Sequence, residues 1–219
     1  MQRFFDVILS GFGIVILFPI LIPTILILKL TGEGEIFYIQ ERIGRDGKIF
    51  GLIKFVTMIK NSANIGPGAI TVFDDPRVLP FGKYLRKSKI NELPQLWNIF
   101  NGDMSVVGPR PLIPNVHAFF TPKAKEKLKT VRPGLTGVGS IFFRNEDHYL
   151  KGLKEPMEFY RKNISPYKGD LEIWFIENNS LWLYFKLIFV TIWVVVFQRS
   201  KIFEIAFKDL PPIPDILRH

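Results

Sequence analysis

The chain has 219 residues, which is enough for one globular unit and an accessory segment but cramped for two full domains. With 47% hydrophobic and 22% charged residues, the composition excludes an intrinsically disordered chain and also a protein made only of membrane helices. The absence of cysteine excludes a disulfide framework and a thiolate metal site, while the formal net charge of +9 favours an anionic partner: a nucleic acid, a phospholipid headgroup or a phosphorylated substrate.

The N-terminal part of the chain is an uncharged apolar run from Val7 to Leu28. As a helix it reaches about 33 Å, roughly the thickness of a hydrocarbon core. Pro19 and Pro23 each remove a helical hydrogen bond, so a sharp bend is expected. Residues 1–30 are therefore predicted as a membrane segment, and two forms stay open: a re-entrant broken helix that enters and leaves by one face, or a kinked helix that spans. No small-residue cleavage site of a signal peptide follows the run.

A second apolar stretch, from Leu181 to Phe197, is interrupted by Lys186 and is too short to span a membrane. Trp182 and Trp193 lie along it, which is typical of a helix in the membrane interface or packed on the domain. A buried core helix is the alternative.

Between these two stretches the pattern predicts an α+β domain with a small β-hairpin and several short helices. Ile36–Gln40 and Lys48–Met58 are rich in β-forming residues and flank the turn signal Arg45–Gly47. Thr121 and Pro122 have the pattern of a helix start. The expected organisation is a membrane segment (1–30), one domain with interfacial helices (31–210) and a loose tail (211–219).

The chemistry of the sequence is concentrated between Asp75 and Pro111. Residues Asn91 and Glu92 are predicted at the start of a helix that is buried along one side, because apolar residues recur around and after them at helical spacing. Those apolar residues are Ile90, Leu93, Leu96, Trp97 and Phe100.

Cations surround this predicted helix start, namely Lys83, Arg86, Lys87 and Lys89, with Arg77 and Arg110 near in sequence. Such a set suits a diphosphate with a divalent cation, and the carboxylate of Glu92 is an oxygen ligand that Mg²⁺ accepts. Arg110 stands between two prolines, which fix the direction of its guanidinium. Plainer interpretations stay open: Asn91 as a helix N-cap, and residues 83–89 as a solvated face or a headgroup contact.

The segment from Asp75 to Pro111 resembles the signature of the bacterial sugar transferases, the monotopic phosphoglycosyl transferases. Its matching motifs are DPRV at 75–78, FG at 81–82, LRK at 85–87, ELPQLWN at 92–98 and GDMSVVGPRP at 102–111. The resemblance continues in GKIF at 47–50, KF at 54–55, TM at 57–58 and VRPGLTG at 131–137, and it includes the N-terminal apolar segment.

The resemblance implies a re-entrant helix broken at proline and a membrane-bound enzyme that uses Mg²⁺. The implied reaction moves a sugar 1-phosphate from a UDP-sugar to polyprenyl (undecaprenyl) phosphate and releases UMP. It would be the first membrane step of lipopolysaccharide, capsule or other surface glycan assembly, on the cytoplasmic face of the bacterial inner membrane. The implied partners are the UDP-sugar, polyprenyl phosphate and membrane lipids.

No nucleic-acid partner is expected. A membrane-tethered nucleic-acid binder would use the basic runs at 83–89 and 123–132, but these match no groove-reading motif.

In the family an Asp-Glu pair carries the chemistry: the Asp attacks the sugar-linked phosphorus and the Glu helps to hold the metal. Here the catalytic pair reads Asn91–Glu92, and a carboxamide is a far weaker nucleophile than a carboxylate. Direct attack by the lipid phosphate, an engineered substitution and lost chemistry all remain open, so a catalytically silent scaffold is the alternative function. Substrate-phosphate contacts are predicted for Lys54, Arg77, Arg86, Arg110 and Arg132.

Overall fold

The computed structural model describes residues 1–65, 75–197, 200 and 202–218. In chain order, the first half contains α1 (Gln2–Leu30), β1 (Phe37–Ile43), β2 (Ile49–Phe55), α2 (Pro80–Lys87), α3 (Gln95–Asn101) and β3 (Ser105–Val107). The second half contains α4 (Pro114–His117), α5 (Pro122–Lys129), β4 (Gly134–Thr136), α6 (Val138–Phe142), α7 (Glu146–Tyr149), α8 (Pro156–Phe159), α9 (Ser165–Glu177), α10 (Leu181–Val196) and α11 (Ile202–Ala206). The mixed α and β class is confirmed.

Helix α1 runs without interruption through Pro19 and Pro23, so the predicted break is not a gap in the helix. Within the described residues it is the one helix that is long and apolar enough to cross a membrane, by length and composition. Most of its apolar side chains face outward: Phe4, Ile8, Phe12, Val15, Ile16, Phe18, Ile20, Ile22, Leu26 and Ile27 are exposed. The surface that α1 presents is thus almost entirely hydrocarbon.

The inner face of α1 is fixed to the rest of the chain by polar contacts at its start. The buried Asp6 carboxylate accepts hydrogen bonds from Ser105 Oγ (2.9 Å), the Val106 backbone N–H (2.8 Å) and Tyr184 Oη (2.9 Å). Arg3 donates to backbone carbonyls at the end of α3, including that of Phe100 (2.7 Å). A carboxylate this deeply buried is stable only because its donors are present.

The other end of α1 also packs on the domain. Leu28 forms a small apolar cluster with Phe55 of β2 and Leu85 of α2. Midway, Gly13 lies against Leu96 of α3, where a Cβ would be 3.3 Å from the leucine side chain. Helix α1 therefore contacts the domain along its whole length.

Strands β1 and β2 form the predicted hairpin, with Phe37 opposite Phe55 and Ile43 opposite Ile49. Its turn uses Asp46 (φ 59°) and Gly47 (φ 74°) in the left-handed region, as the sequence signal requires. One face of the hairpin points toward the interior cleft described below.

A second sheet was not predicted: β3 and β4 pair in parallel, Ser105 with Gly134 and Val107 with Thr136. Each strand has three residues, too few to show a strand period in the sequence. The predicted cap of α5 is confirmed, since Thr121 Oγ1 accepts from the Ala124 N–H at 3.2 Å.

Helix α10 forms the second apolar stretch, and it has both a buried face, as a core helix does, and an exposed apolar face, as an interfacial helix does. One face is core, with Leu183, Tyr184, Leu187, Val190 and Val194 buried. The opposite face exposes Trp182, Phe185, Phe189, Ile192, Trp193 and Val196. Lys186 is accommodated by α11, because its ammonium donates to the Ala206 carbonyl and lies 4.5 Å from the Phe207 ring centroid.

The expectation of a loose tail is wrong for the described part of residues 211–218. Leu217 is 2% exposed and belongs to the main core, and Tyr167 Oη donates to the Pro211 carbonyl at 3.0 Å. Ile213 also packs on that core, so apolar side chains anchor this segment.

Candidate active site

A large cleft of about 1260 Å³ lies between the hairpin, α2 with the segment that follows it, and helices α6, α7, α9 and α10. Its cationic wall, as we call this group, consists of Arg42, Lys54, Lys83, Arg86, Lys87, Lys89 and Arg110. Ile192 and Val195 of α10 line the same cleft and belong to the exposed apolar face of that helix. Charge and hydrocarbon therefore meet at one opening.

The centre of the cationic wall is an ion pair between Glu92 and Arg110. Arg110 Nη2 lies 3.0 Å from Glu92 Oε1, and the Glu92 side chain is 15% exposed. Burial raises the pKa of the Glu92 carboxyl, but the charges of Arg110 and Lys54 outweigh burial and lower that pKa to about 2. Glu92 is thus ionised at every physiological pH.

Arg110 is aimed into the cleft by a close backbone contact. The Gly108 N–H donates to the Thr136 carbonyl at 2.8 Å, and the Gly134 N–H donates to the Pro109 carbonyl at 2.7 Å. A Cβ at Gly134 would lie 2.0 Å from Gly108 N, so only glycine allows the two strands to approach this closely. The motifs GPRP and VRPGLTG are therefore two halves of one structural unit.

Lys54 and Arg42 come from the cleft-facing side of the hairpin. Burial lowers the pKa of the Lys54 ammonium to about 7, and the charge of Arg42 acts in the same direction. Burial, followed by the charge of Arg110, lowers the pKa of Arg42 to about 10. Arg42 Nη1 also donates to the Pro111 carbonyl at 2.8 Å, which ties the hairpin to the segment that carries Arg110. So many crowded cations favour an anionic ligand.

Asn91 lies in a short 3₁₀ turn, Ile90–Glu92, and not at a helix N-cap as the plainer interpretation held. The residue before that turn is Lys89 (φ 60°), and α3 begins later, at Gln95. Asn91 is 8% exposed, lines the cleft, and its buried Oδ1 has no hydrogen-bond partner in the described part of the chain. The Asn91 amide therefore lies beside Glu92 although no described group donates a hydrogen bond to its oxygen.

The predicted one-sided burial of this region is wrong at two positions. Trp97 and Phe100 are 52% and 41% exposed, and their rings stack 6.1 Å apart. Leu96 and Ile99 carry the buried side instead. The exposed pair extends the hydrocarbon surface next to α1, where Phe100 contacts Gly11.

The structure brings together only some of the predicted phosphate contacts. Lys54, Arg86 and Arg110 line the cleft, with Arg86 Nη1 3.4 Å from Thr57 Oγ1. Arg77 also lines it but is 3% exposed, and its guanidinium is bound to Asp75 at 2.6 Å and to backbone carbonyls. Arg132 is not among the lining residues, since its Nε donates to the Gly102 carbonyl at 2.8 Å, at the end of α3.

Sequence reasoning missed a buried polar group at the far end of the cleft. Glu146 of α7 and Lys168 of α9 form an ion pair there, and Glu172 lies one turn further along α9. Burial raises the pKa of Glu172 to about 7. The available signal was a lysine and a glutamate four residues apart, Lys168 and Glu172, which share one face of a helix.

No group of three or more His, Asp or Glu side chains that could hold a metal occurs among the described residues. Glu92 is the carboxylate of the cationic wall, so a divalent cation there would need further oxygen ligands from the substrate. Mg²⁺ is commonly bound in that way, by one or two carboxylates and substrate phosphates. The residues present fit such a shared site.

The chain matches the bacterial sugar transferase family over residues 1–198. It is 36% identical to the exopolysaccharide production protein ExoY of Sinorhizobium fredii over 162 residues, covering 68% of this chain and 71% of that protein. It is 31% identical to the ExoY protein of Rhizobium meliloti, covering 91% of this chain and 87% of the relative.

Other relatives are longer. The chain is 30% identical to the UDP-glucose:undecaprenyl-phosphate glucose-1-phosphate transferase of Klebsiella pneumoniae, covering 91% of this chain but only 41% of that protein. It thus spans about two fifths of the length of several relatives. A match over most of the chain that includes Glu92 and Arg110 establishes the family: this chain belongs to the bacterial sugar transferases.

Proposed function

We propose that this protein is a phosphoglycosyl transferase that moves a sugar 1-phosphate from a UDP-sugar to undecaprenyl phosphate and releases UMP. The observation that carries the proposal is the partly buried Glu92–Arg110 pair in a cationic wall, next to the apolar surface of α10. A diphosphate needs the cations and a polyprenyl chain needs the hydrocarbon. The activity named for the Klebsiella relative supports the same reaction.

In this reaction the phosphorus linked to the sugar exchanges one oxygen bond for another. The anhydride bond to the uridine phosphate breaks, UMP leaves with that bond's electron pair, and a new anhydride bond forms to the incoming phosphate oxygen. Such transfers depend mainly on positioning and on neutralising charge. Arg110, Lys54 and Arg86 supply positive charge along the cleft, and the apolar rim of α10 orients the lipid.

Residue 91 decides whether the transfer has one step or two. An aspartate here would be a nucleophile beside Glu92, whereas the amide of Asn91 has little nucleophilic character. We propose direct attack by the lipid phosphate on the sugar-linked phosphorus in this chain. Since no hydrogen bond to Oδ1 fixes the Asn91 amide among the described residues, the amide can turn its Nδ2 donor toward a bound phosphate.

The proposal includes a Mg²⁺ ion for which Glu92 and the diphosphate would both supply oxygen ligands. Bound there, Mg²⁺ would neutralise the charge that develops on the phosphate oxygens. Before the substrate arrives, Arg110, Lys54 and Lys89 surround the carboxylate with positive charge. We therefore expect the metal to enter together with the nucleotide and not ahead of it.

We further propose that α1 resides in the cytoplasmic leaflet of the bacterial inner membrane as a re-entrant segment. A 29-residue helix is about 43 Å long, so a spanning helix would carry one end far from the domain. What supports the re-entrant form is that Arg3 and Leu28, near opposite ends of α1, both contact the same domain. Labelling of a cysteine at Gln2 from the outer face of sealed vesicles would overturn it.

The test of the function is UMP release in nanodiscs that contain undecaprenyl phosphate, with Mg²⁺ and a panel of UDP-sugars. We expect release with at least one sugar, and no phosphosugar attached to the wild-type protein. Asn91→Asp should form a trappable phosphosugar adduct and turn over faster, by up to about 10⁴-fold if the nucleophile is otherwise correctly placed. Glu126→Gln, an exposed α5 position outside the cleft, is the matched control.

A non-catalytic scaffold in a glycan assembly complex is the second candidate, favoured by the single observation that residue 91 lacks a nucleophile. It becomes the better account if neither the wild type nor Asn91→Asp releases UMP from any donor while both still bind UDP.

A further inference from the structure

The part of the cleft that is lined by α6, α7 and α9 differs in chemistry from the cationic wall. We call this part the polar end and define it by its lining residues: Ser140, Phe143, Asn145, Glu146, Tyr160 and Lys168. Its charged groups are a matched pair, because Lys168 Nζ donates to Glu146 Oε2. A diphosphate gains little here, since the cation is already neutralised by a carboxylate.

The pair stays charged although Lys168 is buried. Burial lowers the pKa of the Lys168 ammonium, but the Glu146 carboxylate outweighs burial and the pKa lies above its ordinary value. The Glu146 side chain is 27% exposed, and among the described residues no donor occupies its Oε1. A carboxylate with one free oxygen in a cleft is an acceptor for hydroxyl groups.

Two further features suit a sugar. The Ser140 hydroxyl is buried, lines the cleft and has no hydrogen-bond partner in the described part of the chain. The rings of Phe143 and Tyr160 lie 5.4 and 5.7 Å from Lys168 Nζ and give the polar end a flat apolar wall. Few hydrogen-bonding groups around an apolar wall are what a small polar ligand needs.

The polar end also adjoins the proposed phosphate site. The charge of Glu146 acts on Arg110, and the charge of Arg110 acts on Lys168. Arg110 and the polar end line one cleft, so a group bonded to a phosphate at Arg110 would extend into the space that the polar end shares. In a UDP-sugar that group is the sugar.

We propose that the polar end binds the sugar hydroxyl groups of the donor, with the Glu146 carboxylate as the acceptor that discriminates among sugars; this rests on the function proposed above. Glu146 touches the substrate but not the reacting phosphorus, so it determines specificity. Lys168 positions the carboxylate, and the unpartnered Ser140 hydroxyl completes the set of hydrogen-bonding groups.

The experiment measures dissociation constants of UDP and of a UDP-sugar panel, including epimers and deoxy forms, by calorimetry on the full chain in nanodiscs with Mg²⁺. For Glu146→Gln we expect unchanged affinity for UDP. The preference for the best UDP-sugar over UDP should fall by about tenfold or more, because a hydrogen bond to a charged acceptor is lost. Preference among epimers should narrow in parallel.

Glu146→Gln leaves Lys168 buried without its counter-charge, so the double variant with Lys168→Met is tested beside it to keep the site neutral. Unchanged UDP binding shows that each variant is folded. Glu126→Gln breaks an ion pair of α5, outside the cleft, and should leave every affinity at the wild-type value.

Two results would overturn the inference. One is an unchanged sugar preference in both Glu146 variants, and the other is an equal loss of affinity for UDP and UDP-sugars, which would place the uridine at the polar end. The function proposed above fails differently: no UMP is released from any donor, while the binding measurements still report on the sugar. If no nucleotide binds to the wild type at all, both proposals fall.

Discussion

Replacing Lys54 by arginine tests whether this residue binds the donor diphosphate. With a pKa of about 7, the Lys54 ammonium is charged in about nine tenths of the molecules at pH 6 and in about one tenth at pH 8. A diphosphate bound beside it favours the charged form. The affinity of the wild type for a UDP-sugar should therefore fall about tenfold from pH 6 to pH 8.

A UDP-sugar is the right probe, because its two phosphates do not titrate in this range, whereas the terminal phosphate of UDP does. Lys54→Arg keeps a positive charge at every pH in the window, so its affinity should change by less than about threefold. Glu172, whose pKa is also about 7, is present in both proteins, so any contribution it makes to the pH dependence of the affinity is the same in both.

Calorimetry in two buffers of different ionisation enthalpy gives a second readout of the same event. At pH 8 the wild type should take up close to one proton on binding, and Lys54→Arg should take up almost none. An equal fall in affinity in both proteins, or equal proton uptake, would refute the assignment of the titrating group to Lys54.

Four other outcomes follow from the contacts above. Asp6→Ala should destabilise the protein by about 3 kcal/mol, because it leaves buried donors unpaired. Asp6→Asn keeps an acceptor oxygen and should destabilise it far less. Thermal unfolding in detergent compares the two variants. Gly134→Ala should lower both the unfolding midpoint and UDP affinity, because a Cβ cannot fit 2.0 Å from Gly108 N. Because the pKa of Glu92 is lowered in the folded protein, its ionised carboxylate stabilises the fold above the ordinary pKa of 4.5, and this stabilisation is lost as the pH falls toward 2. In unfolding measurements Glu92→Gln should therefore cost about 3 kcal/mol at pH 7 and almost nothing at pH 2. Mg²⁺ alone should give no binding heat, and Mg²⁺ with UDP should; binding of the metal to the nucleotide-free protein would contradict the shared site.

Local patterns predicted the features that depend on neighbouring residues. The hairpin was readable because Arg45–Gly47 carries the turn signal between two β-rich runs, and Thr121 was readable as a cap because its partner is three residues away. The apolar N-terminal helix was readable from composition alone. The residue pattern singled out Glu92 and Arg110 before the resemblance was considered, and the structure brings them into contact.

What could not be predicted depends on residues far apart in the chain. The pairing of β3 with β4 places Gly134 against Gly108. The three residues of either strand do not indicate which strand it pairs with. Arg132 looked like a phosphate ligand because it is a cation in a signature motif, but the carbonyl at the end of α3 occupies its Nε. The contact between Glu146 and Lys168 in the polar end could not be predicted, because these residues lie 22 positions apart in the chain and meet only in the folded protein.

The anchoring of α1 through Asp6 has a practical consequence for handling this protein. Deleting the first thirty residues to obtain a detergent-free sample would uncover Leu96 and leave Ser105 and Tyr184 without their acceptor. A truncated chain should therefore aggregate. Exchanging the outward apolar side chains of that helix for polar ones, with Asp6 retained, is the engineering route by which a water-soluble version could keep its interior intact.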